Sequence, residues 1–157
     1  MRSFVGTLPD KELLILDIGS QIVSRQSESY RPLFTNSKWK YTGADITQGN
    51  NVDIVLEQQY KWQFEDNVFD VIISGQTIEH VEYPWEWFKE MARILKPGGI
   101  CCIIAPAVFK THRFPIDTYR YYPDGMKALA KWSGLKVIKS KRVALREIQD
   151  TYLVGTK

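Results

Sequence analysis

An apolar run near the N-terminus, Leu13-Leu14-Ile15-Leu16, breaks at the turn Asp17-Ile18-Gly19-Ser20. A continuous apolar run bounded by turn residues predicts a strand buried on both faces, and such strands belong to parallel sheets that helices cover. A second strand-like run, Lys40–Asp45, ends on a single acid. Because ligands of parallel sheets bind beyond the carboxyl ends of the strands, the ends of these two runs predict the position of a site.

Two residues at these strand ends have the chemistry of a nucleoside site. Gly19 lacks a Cβ, so the backbone there can approach a ligand closely. Asp45, which closes the second run, can accept hydrogen bonds from both hydroxyls of a ribose. Asp17 has two interpretations, because a strand-end acid can bind a cofactor or can accept backbone hydrogen bonds in its own turn.

The remaining patterns predict further strands and helices. Strands are expected at 52–56, 68–74, 100–105, 135–140 and 151–154, with the last two as an antiparallel pair, and helices at 83–95 and 123–133, with a short helix at 25–33. Within 83–95, Pro84 suits the first turn, and helical spacing assigns Trp85 to the core and Trp87 to the surface. Strands that alternate with helices predict an α/β layered sheet.

Length, charge and cysteine content narrow the class of protein. A chain of 157 residues favours one domain, 1–157. Its net charge of +3 is too small to indicate binding to nucleic acid or to a membrane. Cys101 and Cys102 are strand neighbours that point to opposite faces, so we expect free thiols, which fit a reducing compartment. The sequence has no signal peptide and no apolar run of about 18 residues, so a cytoplasmic protein is expected.

Six short motifs occur in order along the chain: LILDIG at 14–19, YTGADI at 41–46, FDVIIS at 69–74, EHV at 79–81, ARILKPGG at 92–99 and HRFP at 112–115. In this order and spacing the chain resembles the class I methyltransferases that use S-adenosylmethionine, specifically the small type 11 group. The resemblance implies a Rossmann-like α/β fold. Its seven-stranded, mostly parallel sheet has helices on both faces and an antiparallel last strand, which agrees with the number of strands predicted from the residues.

The resemblance also implies where each part of the cofactor S-adenosylmethionine lies. The amino acid part is expected at the turn after the first strand, the ribose after the second, the adenine after the third, and the methionine portion after the fourth. The residues implied, in that order, are Asp17, Gly19 and Ser20; Asp45 and Ile46; Glu57, Gln58, Gln59 and Tyr60; and Ser74, Gly75 and Gln76.

His80 is the candidate catalytic residue. Methyl transfer from a sulfonium is an in-line displacement, to which alignment of the reactants can contribute about 7–11 kcal/mol. A base is needed only if the acceptor must lose a proton, and histidine suits this role because its unperturbed pKa is about 6.5. His80 can equally be a residue that begins the next helix and bonds to backbone. His80 and His112 have no metal-ligand spacing, so no metal is expected.

The loop 112–122 follows the fifth predicted strand and is rich in basic and aromatic residues. The candidate acceptor-binding residues in this loop are His112, Arg113, Tyr119 and Arg120. Guanidinium groups can bind a phosphate or carboxylate through paired hydrogen bonds, and tyrosines can form a wall for a ring. The loop can equally be a lid whose arginines are solvated or paired with Asp117 and Asp124.

These patterns predict an S-adenosylmethionine-dependent methyltransferase that acts on a small acceptor, and the basic loop favours an anionic one. The alternative is a non-catalytic cofactor-binding or regulatory module on the same fold, because Gly19 is not followed by the further glycines usual in the family. A nicotinamide-binding domain is disfavoured, because the chain lacks the G-x-G-x-x-G turn. The sequence does not predict the oligomeric state.

Overall fold

The computed structural model of the protein describes residues 1–23, 28–145 and 148–157. The strands of these ranges form one sheet in the order β3-β2-β1-β4-β5-β7-β6. Their bounds are β1 Leu13–Ile18, β2 Trp39–Asp45, β3 Ile54–Val55, β4 Phe69–Gly75, β5 Leu95–Val108, β6 Lys136–Leu145 and β7 Ile148–Thr156. The helices are α1 Arg2–Val5, α2 Pro84–Ile94 and α3 Pro123–Trp132, with 3-10 turns at Arg31–Leu33 and Ile78–His80.

The sheet has the predicted mostly parallel topology. Strand β1 pairs in parallel with β2 and β4, β2 with β3, and β4 with β5. Strand β7 runs antiparallel to both β5 and β6, which confirms the predicted antiparallel last strand. In the register of β1 with β2, Ile18 lies opposite Ala44. The turn after β1 and Asp45, the last residue of β2, therefore lie side by side at the carboxyl ends of the two strands.

Helices α2 and α3 cover one face of the sheet, and α1 with the 3-10 turn at 31–33 covers part of the other. On the first face, Phe88, Met91 and Met126 are fully buried against strand residues that include Ile72 and Ile103. A separate apolar cluster on the second face contains Phe4, Val5 and Phe34 from outside the sheet, packed on Ile15 and Ile73 from within it. The predicted helices on both faces are thus confirmed.

Two local predictions were wrong or incomplete. Trp87 is the core residue of α2, 2% exposed and edge-on to Trp62 at 5.7 Å, whereas Trp85 is exposed. The spacing used for Trp85 fits helical geometry, but the apolar pair at 87–88 determines which face of α2 is buried. For the short helix expected at 25–33, residues 25–27 lie outside the described part. Residues 28–30 are not helical, and only the 3-10 turn at 31–33 forms.

Helix α2 ends at Ile94, one residue before the predicted end at 95. Leu95 already has extended backbone and pairs with Phe69, so β5 begins at Leu95 and passes through Gly98 and Gly99. Cys101 and Cys102 are buried free thiols in the clusters on opposite faces, as predicted. Within the described ranges, no helix has the length and apolar character needed to cross a membrane.

Candidate functional site

The turn after β1 requires glycine. The backbone N–H groups of Gly19 and Ser20 both donate to the carbonyl oxygen of Ala44, at 2.8 and 3.1 Å. This bends the chain so that Gly19 has φ +76°, a conformation that L side chains rarely adopt. A Cβ on Gly19 would lie 2.2 Å from side-chain atoms of Thr77, which follows β4. The backbone of the turn is therefore held close to the end of β4.

Asp45 is held at the end of β2 by backbone donors. The N–H of Gln21 donates to its Oδ2 at 3.0 Å, and the N–H of Thr47 donates to its Oδ1 at 3.2 Å. The hydroxyl of Thr47 also lies 3.4 Å from Oδ1, but its shorter contact, at 2.6 Å, is with Gln21. Because a carboxylate can accept about four hydrogen bonds, each oxygen keeps a further lone pair. Asp45 lines the largest cavity described, so those lone pairs are available to a bound ligand.

This cavity has a volume of about 740 Å³, a size typical of small-molecule sites. One end is formed by Gly19, Asp45 and an apolar group of side chains, Ile46, Leu56 and Trp62. The other end is formed by His80 and the loop 113–116. The cavity is thus lined both by the two predicted strand ends and by the predicted acceptor side.

The structure separates the predicted cofactor residues into three groups. Five of them line the large cavity: Gly19, Asp45, Ile46, Gln59 and Gln76. An adjoining cavity of about 270 Å³ is lined by Asp17, Ser20 and Gly75, together with Gly19 and Gln76, which line both. Glu57, Gln58, Tyr60 and Ser74 line neither of these two cavities. Leu56, which comes before them, points inward instead.

Asp17 is buried, 2% exposed, and its carboxylate accepts a hydrogen bond from the phenol of Tyr41. Burial away from water raises the pKa of Asp17 to about 7, although the Tyr41 hydrogen bond and the charge of Arg31 act in the opposite direction. Ser20 lines the same smaller cavity as Asp17. Its hydroxyl donates to the carbonyl oxygen of Asn51 at 3.0 Å, so this side chain turns away from the large cavity.

His80 ends the 3-10 turn after β4 and faces the cavity. Its Nδ1 lies 2.6 Å from the carbonyl oxygen of Ile116, and desolvation is the main cause that lowers the pKa of its imidazole. A carbonyl oxygen only accepts, so Nδ1 carries the proton and Nε2 keeps its lone pair in the neutral ring. The backbone contact that the sequence left as an alternative is thus present, and the ring also lines the site.

Backbone carbonyls of the turn at 78–81 hold the loop after β5. Thr118 donates to the carbonyl oxygen of Glu79 from both its N–H and its hydroxyl, each at 2.7 Å. Tyr121 donates to Ile78 at 3.1 Å, and Tyr119 donates to Glu82 at 3.2 Å. The loop is therefore fixed against the segment that carries His80.

The four candidate acceptor-binding residues have different surroundings. Arg113 lines the cavity, whereas His112, Tyr119 and Arg120 do not. The guanidinium of Arg120 bonds both carboxylate oxygens of Asp117 and lowers the pKa of that carboxyl, and it also donates to backbone carbonyls of the loop. The predicted pairing with Asp117 is therefore present. The rings of His112 and His80 lie edge-on, with centroids 4.7 Å apart.

Sequence reasoning did not identify several cavity residues. Gln21 and Thr47 lie on either side of Asp45, and Thr77 packs on Gly19. No pattern at these positions points to a site. Trp62 could have been identified from the sequence, because a lone tryptophan in the polar segment 57–63 is expected to cover apolar surface. In the structure it lines the cavity together with Leu56.

Comparisons with known proteins show which proteins this chain resembles. A family model described as a methyltransferase domain matches residues 16–103, more than half of the chain. An uncharacterized methyltransferase of Schizosaccharomyces pombe is 29% identical over 100 residues, 63% of this chain and 33% of that protein. A 2-methyl-6-phytyl-1,4-hydroquinone methyltransferase of Oryza sativa is 30% identical over 105 residues, 64% of this chain and 28% of that protein. The chain thus spans about a third of the length of these curated relatives.

Solved structures show the same fold. The Burkholderia thailandensis 1,6-didemethyltoxoflavin-N1-methyltransferase, solved with 1,6-didemethyltoxoflavin and S-adenosylhomocysteine bound, has a TM-score of 0.74 at 13% identity. The match covers 99% of this chain and 76% of that chain, and at this identity it supports the fold alone. Together with the strand-end site and the family match, it leads to one assignment. This chain belongs to the methyltransferase domain family of class I proteins, whose cofactor is S-adenosylmethionine.

Proposed function

We propose that this chain binds S-adenosylmethionine across the ends of β1 and β2 and transfers its methyl group to a small acceptor that carries an anionic group. The observation that carries the proposal is the single cavity that connects Asp45 with His80 and Arg113. A cofactor held at one end would direct its reactive methyl group toward an acceptor held at the other.

The nucleoside end of the cavity supplies the contacts that an adenosine needs. The carboxylate oxygens of Asp45 can accept hydrogen bonds from the two ribose hydroxyls. Ile46, Leu56 and Trp62 offer apolar surface for the flat faces of an adenine, and the amide of Gln59 is available to its polar edge. This assignment places the adenine contact at Gln59 rather than at Glu57 or Gln58.

Arg113 is the basis for an anionic acceptor. It is exposed at the cavity wall, and no acidic side chain of the described residues forms an ion pair with it. A guanidinium can bind a carboxylate or phosphate through two parallel hydrogen bonds. Arg120 remains committed to Asp117, so Arg113 is the arginine that we assign to the acceptor.

The reaction needs one new bond and one broken bond. A lone pair of the acceptor forms a bond to the methyl carbon as the carbon–sulfur bond breaks, and the electron pair of that bond neutralises the sulfonium. If the acceptor atom carries a proton, the lone pair on Nε2 of His80 can receive it. The lowered pKa of His80 keeps the imidazole neutral at neutral pH, as this step requires.

Binding of S-adenosylhomocysteine, measured by calorimetry, tests the cofactor site. Asp45→Asn should weaken binding by about 1–3 kcal/mol, the cost of losing hydrogen bonds to a charged group. Asp10→Asn, a change of the same type at an exposed residue outside both cavities, serves as the matched control. Equal affinity for the Asp45 variant and the control would refute the placement of the ribose.

Paired acceptors that differ only in a carboxylate or a carboxamide test the acceptor site. The chain should prefer the carboxylate, and Arg113→Gln should abolish that preference while leaving the affinity for S-adenosylhomocysteine unchanged. Arg2→Gln, in α1 and outside the large cavity, is the control. A preference that survives in the Arg113 variant would refute the assignment.

A non-catalytic cofactor-binding module is the second candidate, and the side chain of Gln21 favours it. This side chain accepts a hydrogen bond from the hydroxyl of Thr47 at 2.6 Å and so bridges the space beside Asp45. Gln21 lines the large cavity, at a position where a turn richer in glycine would carry no side chain. Binding of the cofactor without turnover of any acceptor in the panel would support this candidate, and turnover would exclude it.

A further inference from the structure

Both histidines of the chain lie in one cluster with a buried acid. Oε1 of Glu79 lies 3.8 Å from Nε2 of His80 and 3.9 Å from Nε2 of His112. One ligand atom from each of the three residues lies within 4.8 Å of the others. The two histidines are 32 residues apart in sequence, so no short sequence motif predicts the cluster.

The carboxylate of Glu79 is unusual because it is fully buried without a partner. Its exposed fraction is 0%, and neither carboxylate oxygen has a hydrogen-bond partner among the described residues. Burial raises the pKa of Glu79 to about 7, and the charge of Arg120 only partly opposes this. Arg120 itself is bonded to Asp117. A buried polar group with no partner is rare in native proteins and calls for an explanation.

Both imidazoles present an unprotonated nitrogen to this carboxylate. Nδ1 of His80 donates to the carbonyl oxygen of Ile116 at 2.6 Å, and Nδ1 of His112 lies 3.3 Å from the carbonyl oxygen of Lys110. Oδ2 of Asp117 lies 3.7 Å from the same Nδ1 of His112. With the proton of each ring directed at an oxygen, each Nε2 keeps its lone pair. Metal-bound histidines show this arrangement, in which the second nitrogen donates to a carbonyl or carboxylate.

We propose that Glu79, His80 and His112 form a binding site for a divalent metal ion of the Zn²⁺ type. Two imidazoles and one carboxylate are a ligand set that catalytic zinc sites use, with a fourth position left open. Zinc–ligand bonds of about 2.1 Å at tetrahedral angles separate ligand atoms by about 3.4 Å. The separations of 3.8 and 3.9 Å from Glu79 to the two imidazoles therefore need to close by about 0.5 Å. The two imidazole nitrogens lie within 4.8 Å of each other, so that pair closes by at most about 1.4 Å.

The surroundings of the cluster favour a defined site over a chance contact. Phe114 packs edge-on against both imidazoles, at 5.8 and 6.0 Å, and Phe109 packs on His112 at 5.0 Å. The N–H of His112 donates to Asp117 at 2.7 Å, which holds its backbone in place. The rings therefore have little freedom to turn away, so a metal would find its ligands already oriented.

The inference also bears on the acceptor, and in that respect alone it rests on the proposed function. His80 lines the large cavity, whereas Glu79 and His112 do not, so a metal held by the three residues would lie behind the cavity wall at His80. An acceptor hydroxyl would have to reach the metal past this ring. A metal lowers the pKa of a bound hydroxyl group, as it does for bound water. The acceptor would then be an alcohol or phenol that loses its proton to solvent on binding, and His80 would act as a ligand instead of a base.

Metal binding can be measured without any methyl transfer. The chain is freed of metal by dialysis against a chelator and titrated with Zn²⁺ by calorimetry and with Co²⁺ by visible absorption. We expect one ion per chain and an absorption spectrum of tetrahedral Co²⁺. Glu79→Gln and His112→Ala should each weaken Zn²⁺ binding at least about 100-fold, since even the loss of an outer-shell partner costs about 10–100-fold.

Two controls separate loss of a ligand from loss of the fold. Glu12→Gln changes an exposed acid before β1 and should bind Zn²⁺ like the original chain. In the metal-free state, Glu79→Gln should unfold at no lower temperature than the original chain, because the carboxylate it replaces has no partner to lose. Zn²⁺ binding that persists in both ligand variants, or no saturable binding to the original chain, would overturn the proposal.

Titration of the metal-free chain with S-adenosylhomocysteine distinguishes this proposal from the function of the cavity. If the nucleoside binds and Zn²⁺ does not, the metal site is refuted while the proposed function stands. If Zn²⁺ binds and the nucleoside does not, the metal site stands and the proposed function is refuted.

Discussion

The buried carboxyl of Asp17 should make the stability of the protein fall as pH rises. In the unfolded chain this group ionises near 3.8, whereas in the folded protein burial raises its pKa to about 7. Between these two values the unfolded chain releases a proton that the folded protein keeps. The unfolded state binds fewer protons, so the free energy of unfolding decreases with pH across this range and levels off above pH 7.

The size of the effect follows from the two pKa values. A separation of about three pH units corresponds to about 4 kcal/mol, at about 1.36 kcal/mol for each unit. Asp17→Asn removes the titration and keeps an oxygen that can accept the hydrogen bond from Tyr41. The variant should therefore become more stable than the original chain as pH rises, and between pH 5 and pH 8 the difference should grow by about 2–3 kcal/mol.

Urea unfolding of both proteins at several pH values measures this difference. Other groups that titrate in the same range are present in both proteins. Their contributions to the free energy of unfolding cancel in the difference, because the effects of distant sites are additive. Asp10→Asn is the control, because Asp10 is exposed and its pKa is lowered by Asn36 and Lys38, so it is ionised in both states throughout pH 5–8. A stability difference between Asp17→Asn and the original chain that stays constant from pH 5 to pH 8 would refute the reasoning.

Two other perturbations test how the site is supported. Gly19→Ala should destabilise the fold by about 1–3 kcal/mol in urea unfolding, because the new Cβ would lie 2.2 Å from Thr77 and φ is +76°. Gly125 lies in α3 with open space around it, so Gly125→Ala should instead stabilise the fold by about 0.5–1 kcal/mol. Arg93→Ala should cost about 2–3 kcal/mol, because it leaves the nearly buried carboxylate of Glu90 without its bidentate partner. Equal effects of the two glycine variants, or a neutral Arg93 variant, would contradict these contacts.

The elements that the sequence predicted well are those whose cause is local. The run 13–16 is apolar because the middle of its strand is covered on both faces, and it forms the first four residues of β1, Leu13–Ile18. Asp45 follows the next strand in sequence and in space, so its position beside the turn at Gly19 follows from parallel pairing alone. A proline at the start and a glycine shortly after the end are also local signals, and the helix predicted at 123–133 forms as α3.

Predictions failed where tertiary packing chose between equally good local patterns. Helical spacing allows either tryptophan of α2 to face the sheet, and contact with Trp62, more than twenty residues away in sequence, selects Trp87. The family resemblance implied that Glu57 and Gln58, after β3, lie at the adenine, and this remains a prediction. In the structure Leu56 is buried, and Gln59 lines the large cavity while Glu57 and Gln58 do not.

The acceptor side was the hardest part to predict, because backbone atoms hold it together. Ile116 positions His80 through its carbonyl oxygen, and Glu79 holds Thr118 in the same way. Every residue has a carbonyl oxygen, so the side-chain sequence does not indicate which carbonyl accepts these hydrogen bonds. It therefore does not predict how the loop after β5 aligns with the segment 78–82. The cluster of Glu79, His80 and His112 is a consequence of that loop register. A metal test on these residues is therefore also a test of the register, because a shift of one residue would turn His112 away from Glu79.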